Sequence, residues 1–400
     1  MDAYIYDAVR TPRGAAKKTG SLAAVEPISL VTQLLAALEK RNQLEKQSVE
    51  DIVLGCVTQV KEQGANIAKI ASLMAEWPES TAGITVNRFC TSALDAVSMA
   101  AMKVHSGSED IVVGGGVESL TRVRMFSDEG AWYADPEVRK KTNFVQMGVS
   151  ADLIATLEGF ERTQLDEYGA MSHERATFAR NHQYFSRSLV PVYHAGNQLA
   201  LDHDELIRDH ATTDSLAKLE PSFKAFGAGE AEEAIFTAFP ELKEINYLHH
   251  PGNSPSLADG ASLVLVGNKH AESALGLRPR ARIAAVTTAS TNPLLLTGGQ
   301  AATEKILAKT GFSVNDIDLF EYNESFAATV LKYMRDLEID PDKINVNGGV
   351  IAMGHAMGAT GSILTTILLE ELERRDLFRG LVAVSGGGGV GTAMIIERVS

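Results

Sequence analysis

Residues 83–104 read GITVNRFCTSALDAVSMAAMKV, and this segment indicates a strand, a tight turn and a helix in succession. The apolar, β-branched run at 84–86 predicts the strand, and the small apolar residues from Ala93 to Val104, with no Gly or Pro, predict a buried helix. The turn places Cys90 near the helix N-terminus, where unpaired N–H groups and the helix dipole favour an anion. We therefore expect the pKa of this thiol to lie below its ordinary value of about 8.5, as in a nucleophile. A free cysteine is also among the most buried and inert residue types, so the local sequence leaves both interpretations open.

The composition of the chain restricts its class and its partners. Its 400 residues predict two or three domains, and a net charge of −14 argues against nucleic acid or an anionic membrane as partner. A polyanionic ligand would need a local basic patch, for which Arg122, Arg124 and the basic run 139–141 are candidates unless that run is only a solvated surface. Two cysteines are too few for a disulfide framework or a cysteine-based zinc site and favour a reducing compartment. With no apolar run of about 18 residues and no N-terminal signal core, we expect a cytoplasmic protein without a membrane span.

Strand-like and helix-like segments alternate in both outer parts of the chain. This alternation predicts an α/β fold of two duplicated halves, with mostly parallel sheets covered by helices. The strands are expected at 3–9, 51–54, 110–114, 281–287, 317–321, 344–346, 381–384 and 393–396, and the helices at 28–41, 93–104, 301–309, from 325, and at 362–375.

The middle of the chain is more polar than its two outer parts, which predicts a division of the chain into three parts. Residues 1–120 form the N-terminal half, and the chain comes back to this half at about 249–268. Residues 269–400 form the C-terminal half. Residues 121–248 are polar, with an amphipathic helix at 162–180, and are expected to be an inserted loop domain over the α/β core. Inserted loops on a rigid scaffold are common places for ligand recognition.

Three further segments contain candidate site residues. His355 lies in NVNGGVIAMGHAMGATG, residues 345–361, where the glycines allow sharp turns and close approach; an isolated turn histidine is otherwise structural. Asn323 opens NESFAA at a strand end, where an N-cap is the simpler interpretation. The segment SGGGGVG at 385–391 formally matches a dinucleotide fingerprint, but a strand follows it and the chain stops at 400. A turn that presents N–H groups to an oxyanion suits these glycines better.

Together these segments resemble the thiolases, in the same order and spacing and over essentially the full length. The resemblance rests on NRFCTSALDAV, NESFA, GGVIAMGHAMGATG and the terminal glycine turn before AMIIE, with support from YDAVRTPRG, MGVSADLIA and GNSPSLADGAS. The central segment is most similar to the degradative 3-oxoacyl-CoA thiolases of bacterial fatty-acid and steroid side-chain breakdown. The resemblance implies a five-layer αβαβα fold with an inserted loop domain that binds CoA and the acyl group.

The resemblance also implies a reaction and a site. The reaction is cleavage of 3-oxoacyl-CoA by CoA, or the reverse condensation, with CoA as a substrate and neither a metal nor another cofactor. Family members are homodimers or homotetramers, and the small residues of the Cys90 helix suit a subunit interface. The implied roles are nucleophile and acyl carrier for Cys90, base and oxyanion stabiliser for His355, a water-mediated oxyanion hole for Asn323, a backbone oxyanion donor for Gly387, and substrate contacts for Met147, Ser254 and Phe326.

The chain departs from the family pattern around this site. Ser385 stands where the family has its second catalytic cysteine, the acid and base of the reaction, and a serine hydroxyl is a poor base at neutral pH. Ala356 replaces a proline, Ser325 replaces an alanine and Pro255 replaces a small residue, while Cys56 is expected in the core. Two alternatives therefore stay open beside a thiolase: a condensing or acyl-hydrolysing relative, and a catalytically weak acyl-CoA-binding subunit.

Overall fold

The computed structural model of the chain describes residues 2–399. The strands are β1 (Tyr4–Arg10), β2 (Gly14–Ala15), β3 (Asp51–Gly55), β4 (Ala82–Val86), β5 (Ile111–Glu118), β6 (Val192–Tyr193), β7 (Leu199–Leu201), β8 (Ala258–Gly267), β9 (Ala281–Ser290), β10 (Leu319–Tyr322), β11 (Arg379–Ser385) and β12 (Val390–Arg398). The α-helices are α1 (Pro27–Asn42), α2 (Ile67–Met74), α3 (Ser92–Ser106), α4 (Ala131–Ala134), α5 (Pro136–Lys141), α6 (Met147–Glu158), α7 (Arg162–Asn181), α8 (Thr213–Leu216), α9 (Lys224–Gly227), α10 (Glu230–Ala238), α11 (Ala271–Leu275), α12 (Gly298–Thr310), α13 (Ala327–Asp336), α14 (Val350–Met353) and α15 (Thr360–Arg374).

The predicted elements lie close to these bounds, with one exception. The segment 344–346 is not a strand, because Ile344 makes only an isolated bridge to Phe320 before the chain turns into the glycine-rich loop. The side chain of Asn345 instead accepts from the backbone N–H of Tyr322 at 2.9 Å and donates to its carbonyl at 3.0 Å. The side-chain amide of Asn345 thus makes the two hydrogen bonds to β10 that the backbone of a neighbouring strand would make.

The large sheet is mixed, so the prediction of mostly parallel sheets is wrong. Its order is β10-β11-β12-β9-β1-β8-β5-β3-β4. The parallel pairs are β3 with β4, β3 with β5, and β10 with β11, whereas β5, β8, β1, β9, β12 and β11 pair antiparallel in succession. The glycine turn between β11 and β12 is too short for a parallel crossover, and β8 returns from the inserted segment in the opposite direction.

The two halves repeat one topology, as predicted. From the centre outward, β1, β8, β5 and β3 correspond to β9, β12, β11 and β10 in order and in relative direction. In chain order, β1–α1–β3 corresponds to β9–α12–β10, and α3–β5 corresponds to α15–β11. The halves meet where Tyr4 and Ile5 of β1 face Arg282 and Ala281 of β9.

Three apolar cores hold five layers together, and the middle core fills the space on both sides of the central helix layer. Helices α1 and α2 cover the outer face of the N-terminal half, α3 and α15 lie between the halves, and α12 and α13 cover the outer face of the C-terminal half. Alternation along β11 shows how one strand serves two cores, since Val382 and Val384 join the central core and Leu381 and Ala383 join the outer one. Strand β11, which ends at Ser385, is therefore packed on both faces.

The segment 121–248 lies over this frame and has a small core of its own. Val149 and Leu153 of α6 pack with Ala231 and Ile235 of α10 and with Leu294. A fully buried carboxylate also ties the segment to the N-terminal half: Asp204 accepts hydrogen bonds from Arg10 and Arg13, the shortest side-chain one at 3.0 Å.

Candidate active site

Cys90 lies in the connection between β4 and α3, where side chains hold the backbone. Asn87 accepts the Phe89 N–H at 2.8 Å, and Ser92 both accepts the Arg88 N–H at 2.8 Å and donates to the Phe89 carbonyl at 2.6 Å. Phe89 has a φ of 50°, a left-handed conformation that is costly for a bulky residue. These hydrogen bonds offset the backbone strain at Phe89 and fix the position of Cys90.

The thiol of Cys90 is not acidic in the folded chain. Burial raises its pKa to about 11, although hydrogen bonds from the backbone N–H groups of Gly387 and of Cys90 itself act in the opposite direction. The expectation of a lowered pKa is therefore wrong, because desolvation outweighs the helix N-terminus. The residue rests as a neutral thiol that needs a base before it becomes a nucleophile, and two N–H donors already face its sulfur.

His355 has the hydrogen bonding of a base. Its Nδ1 lies 2.8 Å from the hydroxyl of Thr360, and that hydroxyl donates its own proton to the carbonyl of Ala356 at 3.0 Å. Nδ1 must therefore carry the proton that Thr360 accepts, which leaves Nε2 unprotonated. Burial, together with the charge of Arg13, lowers the pKa of His355 to about 4, so the ring is neutral at physiological pH. A neutral imidazole with a free Nε2 can accept a thiol proton.

One cavity brings most of the predicted site residues together. Its apolar wall is formed mainly by Met125, Phe126, Phe223, Leu257, Leu296 and Met357. The predicted residues in its lining are Cys90, His355, Ser385, Gly387, Met147 and Phe326. A largely apolar cavity with a few polar groups in its wall is typical of a small-molecule site.

Asn323 and Ser254 are not among the residues that line this cavity. Asn323 donates from Nδ2 to the Ser325 hydroxyl at 3.1 Å, and Ser325 does line the cavity. Asn323 is thus connected to the cavity wall through Ser325. Ser254 is buried, with no partner for its hydroxyl within residues 2–399, and its neighbour Pro255 lines the cavity.

The glycine turn after Ser385 reverses the chain, so that β12 runs back antiparallel along β11. Gly388 and Gly389 have φ values of 70° and 75°, which favour glycine, and Gly386 donates to the Val390 carbonyl at 2.8 Å. A Cβ on Gly387 would lie 3.2 Å from the Met147 sulfur, so the turn packs closely against the inserted segment. Because β12 follows directly, the turn does not open a helix and the dinucleotide interpretation fails.

A second cavity, with four aromatic residues in its wall, also includes Cys90. Phe89, Phe126, Trp132 and Tyr133 contribute to it, and the ring centroids of Phe89 and Trp132 lie 5.0 Å apart. Sequence reasoning missed this group because three of its members are scattered in the inserted segment without a helical or strand period. The only signal was the local density of aromatic residues between 126 and 144.

The predicted basic patch is partly neutralised. Arg122 forms an ion pair with Glu62, and Arg139 lies 3.3 Å from Glu230. Within residues 2–399, no group of three or more His, Cys, Asp or Glu side chains is placed to hold a metal ion. In the same residues, no helix has the length and apolar character needed to cross a membrane.

Comparisons with known proteins match these features. Residues 3–235 match the model of the thiolase N-terminal domain, and residues 277–398 match that of the thiolase C-terminal domain. The 3-ketoacyl-CoA thiolases of Serratia proteamaculans and Colwellia psychrerythraea are 38% and 36% identical to this chain, each over 99% of both chains. The crystal structure of the Bacillus anthracis acetyl-CoA acetyltransferase is similar with a TM-score of 0.86 at 30% identity, and covers 100% of this chain and 99% of its own.

Proposed function

Because the chain belongs to the thiolase family of CoA-dependent acyltransferases, we propose that it cleaves 3-oxoacyl-CoA with CoA through an acyl-Cys90 intermediate. The products are acetyl-CoA and a shortened acyl-CoA, and the same site can run the condensation in reverse. The observation that carries the proposal is the shared cavity of Cys90, His355 and Ser385. CoA enters the proposed reaction as a substrate, and the proposed steps use only groups of the chain and of its substrates.

His355 starts the proposed reaction as a general base. Its Nε2 takes the Cys90 proton while the sulfur attacks the 3-keto carbon, so both partners begin uncharged. The tetrahedral alkoxide collapses, the C2–C3 bond breaks, and the electron pair leaves as the enolate of acetyl-CoA. The protonated His355 then lies beside the enolate oxygen and stabilises it.

Backbone and hydroxyl donors complete the two oxyanion sites in this proposal. The N–H groups of Gly387 and Cys90, which face the sulfur, suit the alkoxide that forms on the attacked carbon. On the enolate side, Ser325 lines the cavity and its hydroxyl accepts from Asn323, which supports the Ser325 proton as a direct donor where a water held by Asn323 was expected. Loss of one such donor typically costs about 100- to 1000-fold in rate.

The inserted segment supports a substrate with an apolar acyl group longer than acetyl. Met147 and Phe223 contribute to the first cavity and Trp132 to the second, which agrees with 121–248 as the segment that binds CoA and the acyl chain. A fatty-acyl or steroid side-chain substrate of β-oxidation fits this aromatic lining.

The proposal is tested by trapping the acyl-enzyme. The chain is incubated with a 3-oxoacyl-CoA and its intact mass measured, with Cys90→Ala as the inactive variant and the buried Cys56→Ala as the matched control. We expect an acyl adduct that depends on Cys90 alone, and acyl-CoA release when CoA is added. Release of free acid, or a condensation product alone, would favour the hydrolysing or condensing relative. CoA binding without any adduct would favour an acyl-CoA-binding subunit.

The proposed homodimer forms through β4 and not through the small residues of α3. Those residues are buried within the chain against β5 and α15. Strand β4 lies at the sheet edge, and exposed apolar side chains occur on it and on the neighbouring α2 and α3, namely Ile84, Ile70, Leu73, Met74 and Met102. Light scattering should give at least a dimer mass, which Ile84→Lys reduces and Phe178→Lys, at an even more exposed position, does not. A monomer mass for the unsubstituted chain would refute the dimer.

A cytoplasmic location remains part of the proposal. It is supported by the two cysteines, both free, which suit a reducing compartment. Fractionation of the producing cell, followed by detection of the chain outside the cytoplasmic fraction, would contradict it.

A further inference from the structure

The hydroxyl of Ser385 has two buried neighbours that sequence comparison alone did not indicate. The backbone N–H of Gly299, in the first turn of α12, donates to it at 2.8 Å. The phenol oxygen of Tyr322, at the end of β10, lies 3.0 Å from it. Tyr322 is 1% exposed and lies behind Ser385, outside the cavity lining, while Ser385 itself belongs to that lining.

The direction of these hydrogen bonds follows from the number of donors and acceptors. Within residues 2–399 the phenol of Tyr322 has no hydrogen-bond partner except Ser385, so a satisfied phenol proton points at Ser385. The Ser385 oxygen then accepts from both Gly299 and Tyr322, which uses its two lone pairs. Its own single proton is left to point into the cavity that also contains Cys90 and His355.

We propose that Tyr322 is a positioning residue of this reaction, which directs the Ser385 proton at the substrate carbon and replaces that proton once it is given up. The inference rests on the proposed thiolase function and adds to it the missing acid and base. Ser385 is the catalytic residue that contacts the reacting carbon, and Tyr322 acts through it.

The proton transfers balance over one turnover. The enolate carbon forms a C–H bond with the Ser385 proton, the Ser385 O–H bond breaks, and the Ser385 oxygen takes the phenol proton of Tyr322. The negative charge thus passes from the enolate to the phenolate. The CoA thiol returns a proton along the same path and becomes the thiolate that attacks acyl-Cys90. The leaving Cys90 thiolate takes its proton back from His355, and every group returns to its starting state.

A phenol makes this path possible where a lone serine does not. A serine alkoxide is far more basic than a phenolate, whose conjugate acid has an ordinary pKa of about 10. Burial raises the pKa of Tyr322 to about 12, although the hydrogen bond to Ser385 acts against it. A thiol with an ordinary pKa of about 8.5 can still reprotonate such a phenolate. Tyr333 stacks on Tyr322 with ring centroids 3.9 Å apart and fixes the ring.

The test compares two buried tyrosines that each lose one hydroxyl. Tyr322→Phe removes the group that faces Ser385, and Tyr333→Phe removes a phenol whose partner is Thr303, at 3.0 Å. The rate of deuterium entry into the methyl group of acetyl-CoA in D₂O reports proton transfer at carbon, and the Cys90 acyl adduct reports nucleophile function separately. We expect Tyr322→Phe to slow the exchange about 100-fold or more. We expect Tyr333→Phe to change it by less than about fivefold.

A cysteine at 385 distinguishes a proton path from a merely structural role. A thiol can act as acid and base by itself, so Ser385→Cys should speed up the exchange and make it insensitive to Tyr322→Phe within about twofold. If Tyr322→Phe is as harmful with Cys as with Ser at 385, or if the two tyrosine variants behave alike, the relay is wrong. Normal Cys90 acylation in those variants would leave the proposed function standing. Absence of acylation in the unsubstituted chain would overturn the proposed function and the relay with it.

Discussion

Thr360→Val should slow the acylation of Cys90 although Thr360 contacts neither sulfur nor substrate in the proposed reaction. Valine keeps the shape of threonine but cannot accept the Nδ1–H of His355, now held at 2.8 Å. The imidazole is then free to adopt the other tautomer, in which Nε2 carries the proton and faces the cavity. In that form it cannot take the Cys90 proton.

The size of the effect follows from the hydrogen bond that is lost. A buried donor without a partner costs about 1–3 kcal/mol, and this energy shifts the tautomers toward the inactive form. With about 1.4 kcal/mol for each factor of ten, acylation should fall about 5- to 150-fold. Acyl-Cys90 formation from acetyl-CoA is followed by rapid quenching and intact mass measurement at about pH 7.5, where the His355 ring is neutral.

Thr365→Val is the matched control because it makes the same chemical change five residues further along α15. Its hydroxyl donates to the carbonyl of Gly361 at 2.9 Å, and it is equally buried but has no contact with His355. Equal acylation rates in the Thr360 and Thr365 variants would refute the tautomer argument. A loss confined to Thr360→Val, with unchanged CoA affinity, would support it.

Three further predictions concern pH, stability and acyl selectivity. Because burial lowers the pKa of His355 to about 4, acylation should keep its rate down to about pH 5 and fall below it; half-loss near pH 6.5 would contradict a buried base. Burial opposes the ionisation of Asp204, but Arg10 and Arg13 hold its pKa below the ordinary range, so its stabilisation is present above about pH 3.9 and is lost as the pH falls. Asp204→Asn should therefore lower the free energy of unfolding in urea at neutral pH by about 3–5 kcal/mol, against less than about 1 kcal/mol for the exposed Asp209→Asn. Trp132→Ala should lower kcat/KM for long-chain 3-oxoacyl-CoA more than for acetoacetyl-CoA. Equal losses for the two substrates would show that the cavity around Trp132 does not bind the acyl chain.

The sequence predicted the architecture because its signals are local. The strand and helix around Cys90 and the long α15 follow from residue patterns that packing does not override. Strand direction was not predictable in the same way, since it depends on which distant segment returns beside a strand, as β8 does from the end of the inserted segment. Alternation of strands and helices was therefore a good guide to layers and a poor one to parallel pairing.

The chemistry of the site was predicted less completely, because it depends on burial and on contacts from distant parts of the chain. The position of Cys90 before a helix was correct, but its thiol pKa is set by apolar surroundings that no local motif encodes. Tyr322 directly precedes the Asn323 motif and was passed over, since only the fold places it 3.0 Å from Ser385, 63 positions away. Ser325 was noted as an unusual polar residue, but its place between Asn323 and the cavity required the structure.

The hydroxyl groups of the site share one arrangement, which explains how the site can stabilise a charged intermediate although its own groups are uncharged at rest. Ser325 accepts from Asn323, and Ser385 accepts from Gly299 and Tyr322, so a buried neighbour orients each hydroxyl that faces the cavity. Together with the neutral thiol and the neutral imidazole, these groups leave the resting site uncharged in a largely apolar cavity. Negative charge first develops on the substrate, as alkoxide and then enolate, in a medium of low polarity where fixed donors are most effective. The oriented hydroxyls therefore stabilise the reacting state more than the resting one, which is the condition for a faster reaction.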